Sequence, residues 1–306
     1  MASIIVTGGD EYFGAMTVDC VMSARAQGYD GRIAVLDFGY ADETREQIIA
    51  AGGEMHRISL PPPFDAIDFR GPSGALVLMA KPYLPDLFPG HDLYVFVDAD
   101  CWFQTRTGLD ALLDHGDEAD LCAVSQRSRF HDWDVARGNG VEFNMLGQPL
   151  RRNWYTMFAN SSSLPRADKK RLAEVPIINA GVFAAGANSP LWQYWREEMY
   201  RCVEALPQRR KLGADQLGLG LAVYRHDLST VLLPEICNWT SVFRYDEDTH
   251  LFTETQPFHA PVGIMHLAGI GADNTIRPVT MAAGGTKPID LTWRAWMQRK
   301  AGASAS

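Results

Sequence analysis

The sequence predicts an α/β fold with a mostly parallel central sheet flanked by helices, and three observations support this prediction. Short apolar runs alternate with helical stretches along the first half of the chain, an alternation typical of βαβ units. The run Leu93–Val97 is apolar at nearly every position, as expected of a strand buried on both faces of a parallel sheet. With 306 residues and a hydrophobic fraction of 46%, the chain can form a substantial core.

Before the Leu93–Val97 strand, the pattern predicts strands separated by helices. The predicted strands cover residues 4–6, 32–38 and 55–60, and the predicted helices cover 15–27 and 42–53. Gly28 ends the first helix, and Gly52 with Gly53 ends the second, because glycine adopts the left-handed conformation that closes helices. Asp42 is expected to cap the second helix, and the prolines that follow residue 60 end the third strand.

The second half of the chain is less regular at first. Residues 125–174 mix arginine, aspartate and tryptophan without periodicity, which predicts long loops and short helices over one end of the sheet. Regular structure then resumes, with strands expected at 176–185, 230–233 and 262–267 and helices at 190–206, from 214 and at 291–300. We predict one domain over residues 1–290 with a boundary between its halves at 125–126, followed by a C-terminal helix and a frayed tail within 291–306.

Composition excludes several function classes. The formal net charge of −9 argues against nucleic-acid binding, which requires a basic surface. The 5 cysteines are scattered and form no CxxC pair, which argues against a disulfide framework and favours a reducing compartment. The N-terminus has the pattern of a strand rather than a signal peptide, and no apolar run reaches the roughly 18 residues of a membrane span. We therefore expect a soluble, cytoplasmic protein, with at most a peripheral membrane contact through the tryptophans at 293 and 296.

Two acids, Asp98 and Asp100, directly follow the Leu93–Val97 strand. The carboxyl ends of strands are where open α/β sheets bind ligands. Burying two like charges together is unfavourable unless a cation joins them. A divalent metal ion would supply that charge and leave coordination positions for diphosphate oxygens. The alternative is a solvated acidic turn, and the preceding buried strand favours the metal site.

Further motifs follow one another along the chain. They are VTGGDEY at 6–12, Lys81 with LPDLFP at 84–89, INAGVF at 178–183, ADQ at 214–216, CNW at 237–239 and HLAG at 266–269. Together with Asp98 and Asp100, this series resembles the retaining glycosyltransferases of the glycogenin and bacterial lipopolysaccharide galactosyltransferase family (glycosyltransferase family 8). The resemblance extends over most of the chain, and it is the order of the motifs, each weak alone, that makes it specific.

The resemblance implies a single GT-A type domain that binds a nucleotide sugar, and a hexosyltransferase activity of the EC 2.4 type. Residues 1–125 would form the nucleotide-binding half and 126–290 the half that binds donor sugar and acceptor. The implied donor is a UDP-sugar, and the implied cofactor is Mn²⁺ or Mg²⁺. The acceptor stays open among a glycan, a lipid-linked sugar, a protein side chain and a small molecule.

The same resemblance assigns roles to individual residues. The implied metal ligands are Asp98, Asp100 and His266. The residues expected to contact the donor are Thr7, Asp10, Tyr12, Lys81, Asp98, Ala99, Asp100, Ala180, Gly181 and Gly269. The residues expected beside the reacting sugar carbon are Asn179, Asp215 and Gln216.

Elementary chemistry agrees with these roles. An imidazole with two carboxylates suits Mn²⁺ better than Mg²⁺, which prefers oxygen ligands; His259 is a second candidate for the imidazole ligand. The Gln216 amide is a poor nucleophile, but its carbonyl dipole can stabilise oxocarbenium-like charge, and whether a covalent intermediate forms stays open. Asp215 could equally serve as a helix cap.

One departure from the family pattern concerns the donor diphosphate. The family continues its late motif with Lys-Pro-Trp, and here HLAG is followed by IGADN without a lysine. Arg277 or Lys287 could replace that lysine, or the metal and Lys81 could hold the diphosphate alone. The aromatic residues Trp133, Trp154 and Tyr155 are candidates to stack on a sugar acceptor or to pack beneath a loop.

Three other functions remain open at this level. A nucleotide-sugar-binding protein without turnover is consistent with the missing lysine. A sugar nucleotidyltransferase would carry arginine or lysine after the first strand, where the chain has only Gly8, Gly9 and acids. A phosphatase with an Asp-x-Asp nucleophile would require threonine or valine two residues beyond the second acid, where the chain has Trp102 followed by Phe103.

Overall fold

The computed structural model describes residues 2–60, 76–125, 142–143, 149–150, 159–160, 162–240, 242–255 and 257–304. The aromatic candidates Trp133, Trp154 and Tyr155 lie outside the described residues, as does the proline run that follows residue 60.

The strands are labelled in chain order. They are β1 (Ser3–Gly9), β2 (Arg32–Asp37), β3 (Glu54–Arg57), β4 (Leu93–Val97), β5 (Cys101–Phe103), β6 (Leu121–Ser125), β7 (Glu142–Phe143), β8 (Pro149–Leu150), β9 (Ile178–Gly186), β10 (Thr230–Leu233), β11 (Arg244–Asp246), β12 (Leu251–Thr253), β13 (Ile264–His266), β14 (Ile276–Met281) and β15 (Thr286–Asp290). The α-helices cover Gly14–Ala26, Asp42–Ala50, Val77–Ala80, Leu84–Leu87, Arg106–His115, Arg166–Glu174, Leu191–Ala205, Ala214–Arg225 and Trp293–Ser304.

The central sheet has seven strands in the order β10-β6-β9-β4-β1-β2-β3. Strands β1, β2, β3 and β4 pair in parallel, as do β6 and β10. Strand β9 runs antiparallel to both of its neighbours, β4 and β6. The prediction of a mostly parallel sheet flanked by helices is therefore confirmed, although the direction of β9 was not predicted.

Each face of this sheet has its own hydrophobic core, because successive side chains of a strand point to opposite faces. In β1, Ile4 and Val6 belong to one core and Ile5 belongs to the other. The helices Leu191–Ala205 and Ala214–Arg225 pack on the first face. The helix Gly14–Ala26 packs on the second. Both faces are thus covered, and ligand access is left to the ends of the strands.

A second, smaller sheet was not predicted. It has the order β12-β11-β14-β15 and shares a third core with the C-terminal helix through Trp293 and Trp296. This core also contains Trp102 from β5, whose indole N–H donates to Leu291 O at 2.9 Å. An ion pair between the buried Asp19 and the half-exposed Arg294 joins the same helix to the first one, with Arg294 Nε 3.0 Å from Asp19 Oδ1. The C-terminal helix therefore packs directly against β5 and against the first helix.

Several element boundaries differ from the predictions. The C-terminal helix continues to Ser304 instead of fraying after residue 300. The second helix has Ala41 at its N-cap and Asp42 in its first turn, where an acid favours the helix through its dipole rather than by capping. Gly28 and Gly52 adopt φ values of 78° and 91°, as their predicted role at helix ends requires. No helix of the described part of the chain has both the length and the apolar character needed to cross a membrane.

Candidate functional site

A tight turn at the end of β4 presents Asp98 and Asp100. The Asp98 N–H donates to Gly181 O on β9 at 2.7 Å, and the Cys101 N–H donates back to Asp98 O at 3.0 Å. Strand β5 then begins at Cys101 and pairs with β13, so that Cys101 lies opposite His266. The Leu267 N–H donates to Asp100 O at 2.9 Å. Backbone pairing therefore brings the distant His266 to the Asp98–Asp100 turn.

The three predicted metal-ligand side chains converge at this turn. His266 Nε2 lies 3.4 Å from Asp100 Oδ1 and 3.9 Å from Asp98 Oδ2. The imidazole is almost fully buried, with 5% of its side chain exposed, whereas the side chains of Asp98 and Asp100 are 21% and 15% exposed. The imidazole thus lies on the buried side of the cluster, and the two carboxylates lie on the side that reaches solvent. A metal site with open coordination positions needs this arrangement.

A thiol that the sequence interpretation overlooked lies beside these groups. Ligand atoms of Asp100, Cys101 and His266 lie within 4.8 Å of one another. Cys101 is buried, and burial, reinforced by the charges of Asp100 and Asp98, raises the pKa of its thiol well above the usual range. Its position next to Asp100 in the sequence was the available signal, but without the β5–β13 register nothing indicated which way its side chain would face.

Gly181 makes the close approach of these groups possible. A Cβ at this position would lie 2.5 Å from His266 Cε1, 2.6 Å from Asp98 Oδ2 and 2.9 Å from Asn179 Oδ1. These separations are shorter than any real Cβ contact. Only glycine therefore fits against the acid and the imidazole without displacing them.

Lys81 is the buried cation of the site. Its side chain is 1% exposed, and its Nζ lies 3.1 Å from Asp98 Oδ1 and 3.1 Å from Asp215 Oδ2. The ammonium group also donates to Ala180 O at 3.0 Å and lies 4.8 Å from the centre of the Phe96 ring. In this arrangement the lysine links one predicted metal ligand to one predicted sugar-binding residue.

The residues expected beside the donor sugar lie on β9 and on the first turn of the Ala214–Arg225 helix. The Asn179 side chain accepts the Gly181 N–H at 2.7 Å, and Gln216 Oε1 lies 3.4 Å from Ala180 N. The Trp195 indole N–H donates to Asp215 O at 2.8 Å. Gly213, not Asp215, is at the N-cap of this helix, so the Asp215 carboxylate is used for Lys81 instead of for capping.

The end of β1 lies next to the same turn. Thr7 is fully buried and Asp10 nearly so, and Asp10 accepts the Tyr12 N–H at 3.2 Å. A Cβ on Gly9 would lie 3.8 Å from Ala99 Cβ, and one on Gly271 would lie 2.5 Å from the Tyr12 hydroxyl. Tyr12 is 43% exposed. Its ring therefore reaches the loop that follows His266 and keeps an open face.

The remaining candidates are placed differently. Gly269 lies in that loop with φ of 71°, and a Cβ added to it would meet nothing within 4 Å. His259 precedes β13, at the end opposite His266, and its Nδ1 donates to Glu254 O at 3.1 Å. Arg277 and Lys287 lie on β14 and β15, in register with Ile289 and Val279. Within the described residues, none of the side chains of His259, Arg277 and Lys287 forms an ion pair with Asp98 or Asp100.

The charged groups of the site shift one another's pKa values. Burial raises the pKa of the Asp98 carboxyl, although Lys81 opposes this shift. Burial acts in the same direction on Asp100, but His266, together with a backbone hydrogen bond and Lys81, outweighs it, and the pKa of Asp100 is held below its usual range. Burial disfavours the charged forms of His266 and Lys81, yet the neighbouring carboxylates outweigh it and raise both pKa values. The acids are thus balanced within the site by two cationic partners.

Comparison with solved structures relates this fold to glycosyltransferases. The galactosyltransferase LgtC, solved in complex with donor and acceptor sugar analogs, is similar with a TM-score of 0.52 at 14% identity, over 98% of this chain and 95% of that chain. The bifunctional glycosyltransferase WbbM, solved in its apo form, is similar with a TM-score of 0.55 at 12% identity, over 97% of this chain and 49% of that chain. No protein-family model and no curated protein sequence matches the chain. At these identities the likeness establishes the fold, which is that of a GT-A type glycosyltransferase.

Proposed function

We propose that the chain is a metal-dependent, retaining glycosyltransferase that moves a sugar from a nucleotide-diphosphate donor, a UDP-sugar, to an acceptor. The observation that carries this proposal is the position of His266 Nε2, 3.4 Å from Asp100 Oδ1 and 3.9 Å from Asp98 Oδ2. This cluster lies at the carboxyl end of β4, in a fold similar to that of a galactosyltransferase solved with sugar analogs.

The proposed cation ligands are Asp98, Asp100 and His266. Two carboxylates and an imidazole suit Mn²⁺, which accepts nitrogen ligands more readily than Mg²⁺ does. The glycine at position 181 is consistent with a cation bound by these three ligands. Any side chain at this position would occupy the volume between Asp98 and His266. When bound, the cation would neutralise the donor diphosphate and stabilise the charge that develops on the leaving group.

The other residues of the cluster would bind and orient the donor. Tyr12 offers an exposed ring beside β1, suited to stacking on a nucleobase. Asn179 and Asp215 would hydrogen-bond the transferred sugar. Lys81 is engaged by Asp98, Asp215 and Ala180 O, so we assign it the role of holding the two acids in place rather than of reaching for the diphosphate.

Gln216 is the proposed residue next to the reacting carbon. An amide cannot readily form a covalent bond to the sugar, but its carbonyl oxygen carries a partial negative charge. Placed beside the anomeric carbon, that dipole would stabilise the oxocarbenium-like charge of the transition state. Retention of configuration would follow if the acceptor attacks from the same face that the diphosphate leaves.

The proposal is tested by calorimetric titration of a panel of UDP-sugars, with and without Mn²⁺. Binding of one UDP-sugar only in the presence of the metal would support the proposed donor site and identify the sugar. Release of free sugar or UDP from that donor would then distinguish an enzyme from a nucleotide-sugar-binding protein. Failure of every UDP-sugar to bind with Mn²⁺ present would contradict the proposed function.

A further inference from the structure

The two nitrogens of the His266 ring have different neighbours. Nε2 faces the acids, 3.4 Å from Asp100 Oδ1. Nδ1 lies 2.7 Å from Asn238 Oδ1. An amide oxygen can only accept a hydrogen bond, so the nitrogen beside it must carry the proton. Asn238 is 4% exposed, which leaves little room for water to take its place.

Backbone hydrogen bonds hold the two residues in this relation. The Trp239 N–H donates to Ile264 O at 2.9 Å, and the His266 N–H donates to Trp239 O at 3.0 Å. The Asn238 N–H donates to Glu235 O at 3.0 Å. The segment that carries Asn238 is therefore paired with β13 through a parallel bridge between Trp239 and Met265. Within the described residues, Asn238 Nδ2 has no hydrogen-bond partner. The hydrogen bond that the Asn238 side chain makes among these residues is therefore the one between its Oδ1 and His266 Nδ1.

We propose that Asn238 is a positioning residue, which accepts a hydrogen bond from the Nδ1–H of His266 and so keeps Nε2 directed at the space between Asp98 and Asp100, where its lone pair becomes available to a cation once the Nε2 proton has left. A histidine that binds a metal through one nitrogen generally donates its other N–H to an oxygen, and that bond sets both the tautomer and the ring orientation. The role of the lone pair as a metal ligand rests on the proposed function. The hydrogen bond itself does not.

The first test measures the affinity for Mn²⁺ alone, by calorimetry, in three variants. Asn238→Leu removes the acceptor while keeping the number and branching of the side-chain heavy atoms, and we expect it to weaken Mn²⁺ binding about 10- to 100-fold. Asn238→Asp keeps an oxygen in the same place and should retain the wild-type affinity within about 3-fold or improve it. The control is Gln104→Leu, which removes a buried amide bonded to Phe252 and Val262. It should lower stability while leaving Mn²⁺ affinity unchanged.

The second test observes the proton directly, by long-range ¹H–¹⁵N spectra of metal-free protein labelled at histidine, with His266 assigned from a His266→Gln variant. The expected result is a proton on Nδ1 of His266 in the wild type and in Asn238→Asp, protected from exchange with water. A wild-type His266 without this proton would overturn the inference, even if Asn238→Leu fails to fold. A folded Asn238→Leu protein with wild-type Mn²⁺ affinity would overturn it as well.

The two tests also separate this inference from the proposed function. A wild-type protein that binds no Mn²⁺ but keeps the protected Nδ1 proton would contradict the proposed metal site, while supporting the hydrogen bond to Asn238. A wild-type protein that binds Mn²⁺ but lacks that proton would contradict the role of Asn238 alone.

Discussion

Gly181 and His266 approach so closely that a Cβ on the glycine would lie 2.5 Å from Cε1 of the imidazole. The two residues belong to different sheets, Gly181 to β9 of the central sheet and His266 to the β13–β5 pair. The space between the buried imidazole of His266 and the partly exposed carboxylate of Asp98 is thus kept open by the absence of a single side chain.

Gly181→Ala is predicted to abolish binding of Mn²⁺ while leaving most of the fold intact. The added methyl group would occupy the space between Asp98 Oδ2 and His266 Cε1, so one of the two must move. We expect at least a 100-fold loss of Mn²⁺ affinity and a loss of stability of about 1–3 kcal/mol from overpacking. The matched control is Gly302→Ala, where nothing lies within 4 Å of the added carbon; calorimetry and thermal denaturation check both. Wild-type Mn²⁺ affinity in Gly181→Ala would contradict the proposed cation position.

Asp98→Asn and Asp100→Asn are each predicted to abolish metal-dependent donor binding without unfolding the chain. An amide oxygen carries no formal charge and binds a hard divalent cation far more weakly than a carboxylate does. Titration of the bound UDP-sugar with Mn²⁺ present measures the effect, and circular dichroism verifies the fold. Full Mn²⁺-dependent affinity in either variant would refute the metal assignment.

Gln216→Ala is predicted to lower kcat by about 100-fold or more while changing donor affinity much less. A dipole that stabilises charge mainly in the transition state affects turnover rather than ground-state binding. The check is steady-state kinetics combined with direct titration of the donor. Normal turnover with weakened donor binding would make Gln216 a binding residue instead.

Lys81→Met is predicted to destabilise the protein by about 3–5 kcal/mol, because it leaves Asp98 and Asp215 without their buried counter-ion. The lysine is 1% exposed and its two partners are 21% and 7% exposed, so water replaces little of the lost interaction. Asp110→Asn serves as the comparison, since its pair with Arg106 is 42% and 49% exposed and should contribute no more than about 1 kcal/mol. Urea denaturation compares them; equal small losses would show that Lys81 is not needed to balance the acids.

Gly218→Ala is predicted to destabilise the contact between the helices Leu191–Ala205 and Ala214–Arg225 by about 1–3 kcal/mol. A Cβ at Gly218 would lie 2.7 Å from Met199 Cα, so the helices would have to separate. Alanine has the higher helix propensity, worth about 1 kcal/mol over glycine, and an exposed site would therefore gain stability. A rise in the melting temperature of Gly218→Ala would show that the helices can separate without cost.

The sequence predicted the parts of the fold that depend on local pattern. Leu93–Val97 was predicted as a buried strand because its apolar run is continuous, and the acids after it were thereby placed at a sheet edge. The short strands of the smaller sheet escaped prediction. Strands of three residues, such as Arg244–Asp246, are too brief for alternation to show, and their pairing is decided by contacts distant in sequence.

The candidate site was predicted as a set of residues but not as a geometry. The sequence indicates that Lys81 is a cation near the donor diphosphate, but its burial between Asp98 and Asp215 depends on how β4, β9 and a helix pack together. Cys101 was missed for a related reason. Whether its thiol faces the acids depends on the register of β5 against β13, which no local pattern reveals.

The pairing of β5 with β13 has a consequence for biosynthesis. The Asp98–Asp100 turn leaves the ribosome long before His266 does. Trp102, which lies just after this turn, likewise packs against the late residue Trp296, with ring centroids 5.3 Å apart. The early part of the chain can therefore acquire its strands and helices while the late part is still being made. The cluster of acids and imidazole becomes complete only after β13 has been synthesised and has docked on β5. A nascent chain that stops short of β13 would carry the acidic turn without its imidazole, so the proposed cation site would be complete only in chains elongated past His266.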